Sequence, residues 1–90
     1  MGDLIKILMR KIFPPFFSIR LKDGEVLTEH GKLAAPLLSD FSRIASDSGI
    51  DSGWIWGHRS GGGVRLEFSS DISEGDRQRF RNTAGYHGIV

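Results

Sequence analysis

The segment GWIWGHRSGGGVRLEF, residues 53–68, reads as a β-hairpin and limits the possible folds more than any other part of the chain. Two apolar, strand-like runs flank three consecutive glycines. Side chains alternate between the two faces of a strand, so Val64, Leu66 and Phe68 form an apolar face of the second strand, and the charged residues between them form a polar face. The chain is therefore expected to form a sheet with one face covered by a core.

The length of the hairpin loop decides where the two tryptophans, Trp54 and Trp56, are placed. A loop of two or four residues pairs Gly57 with Leu66 and puts both tryptophans on the outer face beside Arg65. A loop of five residues pairs Trp56 with Leu66 and puts both in the core, because a shift of one residue exchanges the faces. Two-residue glycine turns are the commonest hairpin signal and favour the outer position. Burial of large aromatic rings favours the core.

Asp23-Gly24 predicts an earlier hairpin, because a two-residue turn of this kind needs positive φ at both positions. The two strands are expected at about 16–22 and 25–30. In an unbroken register Phe17 pairs with His30, and the apolar and polar side chains separate onto opposite faces.

A helix is predicted after each hairpin. The first has the spacing of a buried stripe, carried by Leu37, Leu38, Phe41, Ile44 and Ala45. Gly49 followed by Ile50 predicts a left-handed glycine cap for this helix. In the second helix Ser73 is the expected N-cap, with Asp76 three residues later. Gly85 is the expected end of this second helix.

The order strand, strand, helix thus occurs twice, which predicts an α+β fold. We expect a four-stranded antiparallel sheet in ββαββα order with both main helices on one face. The chain divides into a short amphipathic segment at residues 1–15, a single α+β domain at 16–85 and a loose tail at 86–90.

Residues 1–13, MGDLIKILMRKIF, have helical apolar spacing and end at two prolines. Three interpretations are open for this segment: a short helix packed on the domain, a frayed terminus, or an interfacial membrane anchor with one basic and one apolar side. No run of about 18 apolar residues occurs that would span a bilayer. The chain has no cysteine, which excludes disulfides and fits a reducing compartment. We expect a cytoplasmic protein, or one peripheral to the inner membrane.

The sequence carries no recognisable catalytic or metal motif. His30, His58 and His87 stand in no nucleophile arrangement and have no metal-ligand spacing. The glycines at 61–63 join two strands, without the helix N-terminus that a phosphate-binding loop needs. We therefore predict that the protein is not an enzyme and has no metal, cofactor or small-molecule substrate.

The candidate binding surface consists of aromatic and basic residues: Trp54, Trp56, Arg65, Arg77, Arg79 and Arg81. Exposed tryptophan and arginine are enriched at the centres of protein interfaces, and an open sheet or an outer hairpin strand can pair with a second copy. We predict a protein-binding or self-associating module. The alternative is single-stranded nucleic-acid binding, with bases stacked on the tryptophans and phosphates on the arginines. A net charge of +1 gives no global attraction to nucleic acid, and the helix arginines also suit a solvated face that complements the helix dipole.

Four pieces of the chain, LKDGEV, KLAAPLL, SGWIWGHRSGGGVRLEFS and DRQRFRN, occur in this order between about residues 17 and 82. In their order and spacing they resemble a family of small bacterial proteins known as a domain of unknown function, whose members often carry an N-terminal membrane helix. The resemblance implies no activity and no catalytic residues. The chain departs from that pattern at residues 1–13, which are too short and too charged to span a bilayer.

Overall fold

The computed structural model describes Leu4, Ile5, Leu8 and residues 15–89. It contains β1 (Phe17–Lys22), β2 (Glu25–His30), α1 (Ala35–Asp47), β3 (Ser52–Ser60), β4 (Gly63–Phe68) and α2 (Glu74–Tyr86). The predicted ββαββα order is confirmed. The predicted helical segment at residues 1–13 lies outside the described residues, apart from three apolar side chains that are exposed.

The four strands form one sheet in the order β2-β1-β3-β4, and all three neighbouring pairs are antiparallel. The two hairpins are joined through their first strands, and Ile19 in β1 pairs with Ile55 in β3. The sheet therefore has two central strands, β1 and β3, and two edge strands, β2 and β4.

The first hairpin has the predicted turn but not the predicted register. Asp23 and Gly24 both have positive φ, at 52° and 77°. Ser18, rather than Phe17, pairs with His30, because the register shifts by one residue next to Ile19. The predicted pairing of Phe17 with His30 is therefore wrong. A bulge of this kind bends the strand and increases its twist, and here it occurs where the chain leaves the sheet for α1.

Both helices cover the same face of the sheet, as predicted. We call this the inner face and the opposite one the outer face. Phe41 of α1 and Phe80 of α2 pack edge to face, with ring centroids 5.0 Å apart. Phe80 also lies 6.1 Å from the ring of Phe68 in β4. The core is completed by inner-face side chains of the two central strands: Phe17, Ile19, Leu21 and Ile55.

The two helices end in the same way. In α1 the N–H of Ile50 donates to the carbonyl of Ala45 (3.0 Å), with Gly49 in the left-handed conformation. In α2 the N–H of Ile89 donates to the carbonyl of Ala84 (3.1 Å), with Gly88 left-handed. Both patterns are the Schellman motif. The predicted glycine cap of α1 is confirmed. The prediction that α2 ends at Gly85 is wrong, because the helix continues to Tyr86 and Gly88 caps it.

The described part of the C-terminal tail is anchored, which differs from the expected loose tail at 86–90. His87 Nε2 lies 2.7 Å from Asp40 Oδ2 of α1. This hydrogen bond, with a smaller contribution from Arg43, lowers the pKa of the Asp40 carboxyl. Ile89 is partly buried against the core. The tail thus fastens α2 to α1.

Candidate functional site

The second hairpin places both tryptophans on the outer face. Ser60 pairs with Gly63 around a two-residue glycine loop, and Gly57 pairs with Leu66. Gly61 has φ of +60°, as such a turn requires. Of the two positions that the sequence left open, the outer one is observed, and the alternative five-residue loop is wrong.

The tryptophan rings stack on one another. Their centroids are 6.0 Å apart and their planes differ by 6°. The guanidinium carbon of Arg20 lies 5.8 Å from the ring centre of Trp54, and Arg20 faces Trp54 across β1 and β3. Leu27 of β2 faces Arg20 from the other side and is 41% exposed. We call Leu27, Arg20 and Trp54, which lie side by side across three strands, the tryptophan row.

The two tryptophans differ in accessibility. Trp54 is half-buried, whereas Trp56 is only 1% exposed. Ser18, which faces Trp56 across β1 and β3, is also buried. The expectation that the outer face is open therefore holds for the tryptophan row but not for Trp56. Of the two tryptophans, Trp54 is the accessible one, and Trp56 supports it by stacking.

Charged side chains lie next to the tryptophans on β3 and β4. His58 Nε2 is 2.9 Å from Glu67 Oε1. Arg65 faces His58 across the hairpin and is exposed. Arg65 has no ion-pair partner among the residues that the structure describes.

Ser69, a buried serine that no sequence motif indicates, fixes the backbone of Trp54. The Trp54 N–H donates to Ser69 Oγ (2.8 Å), and the Ser69 N–H donates to the Trp54 carbonyl (3.1 Å). Asp71 accepts from the hydroxyls of Ser69 (2.5 Å) and Ser52 (2.9 Å). A cleft of about 300 Å³ lies beside this network and is walled by Trp54 and Arg20. The only sequence signal for the network is the polar run Ser-Ser-Asp directly after β4.

The three helix arginines do not join the tryptophans, because α2 covers the inner face. Arg77 donates from Nε to the carbonyl of Ile72 (2.8 Å) and from Nη2 to that of Ser69 (3.0 Å), so it holds the connection between β4 and α2. Arg79 donates to Ser48 after α1.

Arg81 is likewise held within the chain, by an ion pair with Glu74 at 3.0 Å. The six predicted residues therefore separate into two groups. Trp54, Trp56 and Arg65 share the outer face, and the helix arginines connect α2 to its surroundings.

Neither a cluster of metal ligands nor a membrane-spanning helix is found among the described residues. No group of three histidine, cysteine or acidic side chains there is placed to hold a metal ion. Among the same residues, no helix combines the length and the apolar character needed to cross a membrane.

The chain matches one family model, described as "Protein of unknown function (DUF3634)", over residues 4–89. No curated protein and no solved structure matches it. The match extends over nearly the whole chain and confirms the expected resemblance to a family of unknown function. It assigns no activity to the chain.

Proposed function

The chain belongs to the DUF3634 family of proteins of unknown function, and we propose that it is a non-catalytic protein-binding module. Its contact surface is the outer face, centred on the tryptophan row. The observation that carries this proposal is the accessible Trp54, stacked on a buried tryptophan and flanked by Arg20 and the exposed Leu27. Tryptophan and arginine dominate the binding energy of protein interfaces. A side chain already held by stacking loses little conformational entropy on binding.

The geometry favours a protein partner over a single-stranded nucleic acid. One ring face of Trp54 is occupied by Trp56, and the guanidinium of Arg20 lies nearby, so little ring surface is left for a base to stack on. The helix arginines donate to groups within the chain. A nucleic-acid complex would weaken steeply with salt, whereas an interface built on Trp54 and Leu27 would not.

A photo-crosslinking amino acid at Leu27, in the full chain in cells, tests this proposal. We expect a protein adduct that Trp54→Ala reduces about tenfold or more, because loss of a central tryptophan commonly costs about 2 kcal/mol or more of binding energy. The matched control is Tyr86→Ala, which removes another exposed aromatic side chain at the end of α2. It should leave the adduct unchanged. An adduct that survives Trp54→Ala, or one that consists of nucleic acid, would contradict the proposal.

A second surface favours peripheral attachment to a membrane. Leu4, Ile5 and Leu8 are 71%, 65% and 56% exposed, and the same stretch of sequence contains the basic residues Lys6, Arg10 and Lys11. Apolar side chains combined with basic ones suit the boundary between headgroups and acyl chains of an anionic lipid surface. We propose that this segment brings the domain to such a surface, with the outer face left for the protein partner.

Sedimentation of the full chain with anionic phospholipid vesicles tests the membrane contact. The double variant Leu4→Ser/Leu8→Ser should bind at least about tenfold more weakly, because each buried leucine contributes roughly 1.5–3 kcal/mol. Leu27→Ser, which removes an exposed leucine from the sheet, should bind like the wild type. Equal loss in both variants, or no loss in either, would argue against a contact through the N-terminal segment.

A further inference from the structure

The two edge strands of the sheet differ in how well they are protected against pairing. The β2 edge is mostly exposed, has a bulge at Glu29, and carries two charges of the same sign, Glu25 and Glu29. Bulges and charges are common means of preventing edge-to-edge association. The β4 edge, GVRLEF, has a regular register with β3, and its two charged residues, Arg65 and Glu67, are of opposite sign. It is the edge that can accept another strand.

The hairpin register shows which backbone groups of β4 face outward. Gly63 and Ser60 close the two-residue loop as a hydrogen-bonded pair. Hydrogen-bonded and non-hydrogen-bonded pairs alternate along an antiparallel ladder, so the odd-numbered residues of β4 are the ones that bond to β3. The hydrogen bond from the Ser69 N–H to the Trp54 carbonyl fits this alternation. The N–H and C=O groups of Val64, Leu66 and Phe68 therefore point away from β3, toward the edge. In the described part of the chain these groups have no backbone partner outside the ladder.

We infer that β4 pairs antiparallel with β4 of a second copy, with Leu66 of the two copies directly opposite each other. In this register Val64 faces Phe68 of the second copy. The outward-pointing N–H and C=O groups of the two β4 strands are therefore opposite each other and can form hydrogen bonds. On the outer face Arg65 faces Glu67 of the second copy, whose carboxylate also contacts His58 of its own chain, and the two-fold symmetry repeats the pair. Two cross-strand pairs of opposite charge stabilise the contact.

Charge excludes the neighbouring registers. A shift by two residues in one direction places Arg65 opposite Arg65 of the second copy, and a shift in the other places Glu67 opposite Glu67. Like charges directly opposite each other destabilise a strand pair. A shift by one residue places residues whose N–H and C=O groups point toward the partner strand opposite residues whose groups point away from it, so no hydrogen-bonded ladder forms. The register centred on Leu66 is therefore the one that satisfies both hydrogen bonding and charge.

The surroundings of β4 leave room for this contact. A shallow groove of about 350 Å³ lies along the edge beside Val64, Arg65 and Leu66, with Arg81 at its border. The charge of Arg81 is already paired with Glu74. The dimer would join two four-stranded sheets into one of eight strands and set two tryptophan rows on a common outer face. A strand edge buries little surface compared with stable dimers, so the association is expected to depend on concentration.

Disulfide crosslinking tests the register directly, because the chain contains no cysteine of its own. Opposed residues of a non-hydrogen-bonded pair have Cα atoms about 4.5 Å apart, which suits a disulfide. A mixture of full-length Arg65→Cys and Glu67→Cys chains should oxidise to a covalent dimer, and neither chain should do so alone. Leu27→Cys, on the other edge strand, is the control and should stay monomeric. Equal crosslinking of every variant, or crosslinking of Arg65→Cys alone, would overturn the register.

Sedimentation equilibrium of the same proteins tests whether the charges drive association. Arg65→Glu should raise the dimer dissociation constant about tenfold or more, because two attractive pairs become repulsive. The double variant Arg65→Glu/Glu67→Arg should restore it. A wild type that stays monomeric up to its solubility limit would refute the inference. The proposed protein-binding function fails separately, because Trp54→Ala removes the crosslinked partner without changing self-association.

Discussion

Replacing Trp56 with alanine is expected to lower the free energy of unfolding by about 3–5 kcal/mol, as for other large buried aromatic side chains. Trp56 is 1% exposed although it lies on the sheet face away from both helices. Its removal would leave a cavity beside Trp54 and abolish the stacking of the two rings, which is itself worth roughly 0.5–1.5 kcal/mol. Urea denaturation of the two proteins measures the difference.

Trp54→Ala is the matched control for this experiment, because it removes the same stacking contact from a half-buried position. It should destabilise the domain clearly less than Trp56→Ala, while reducing the proposed protein adduct about tenfold or more. Equal losses of stability for the two variants would show that the tryptophans are equivalent, contrary to the structure.

Replacing Gly57 with alanine is the second substitution expected to have a large effect. A Cβ at this position would lie 2.1 Å from Cε2 and 2.5 Å from Cδ2 of the Phe17 ring. Phe17 is fully buried in the core, so its ring has no free space into which to move. Overpacking of this kind commonly costs about 1–3 kcal/mol and sometimes more. We expect a large fall in the unfolding midpoint measured by circular dichroism.

Gly62→Ala provides the control for the same substitution in the same hairpin. No atom lies within 4 Å of a Cβ at Gly62, so stability should change by less than about 1 kcal/mol. Gly57→Ala combined with Phe17→Leu should recover part of the loss, because the smaller side chain leaves room for the new methyl group. If Gly57→Ala were as stable as Gly62→Ala, the close packing of β1 on β3 would be wrong.

Local signals were sufficient to predict most of the fold. Asp23-Gly24 and the glycine loop at 61–62 define their turns by backbone conformation, so both hairpins could be located. The two-residue loop then decided on which face the tryptophans lie. The bulge after Thr28 was not predicted, because residues 25–30 contain no glycine that would mark it.

The candidate site was less predictable, because it depends on contacts between distant parts of the chain. The second hairpin alone placed Trp54 beside Arg65 on the outer face only for a loop of two or four residues, and the sequence left the loop length open. Arg20 and Leu27 were missed, since only the pairing of β1 with β3 brings them beside Trp54. The role of Arg77 was missed for a similar reason: its partners are backbone carbonyls, which carry no sequence signal. Burial of Trp56 likewise follows from tertiary packing and not from strand periodicity.

Trp54 is the accessible tryptophan of a stacked pair on the outer face, and Trp56 is its buried support. Iodide quenching of the fluorescence of two single-tryptophan proteins, Trp56→Phe and Trp54→Phe, tests this arrangement most directly. The protein that keeps Trp54 should emit at longer wavelength and be quenched readily, and the one that keeps Trp56 should emit at shorter wavelength and be protected. Equal protection of both tryptophans, or stronger quenching of Trp56, would contradict this account of the outer face.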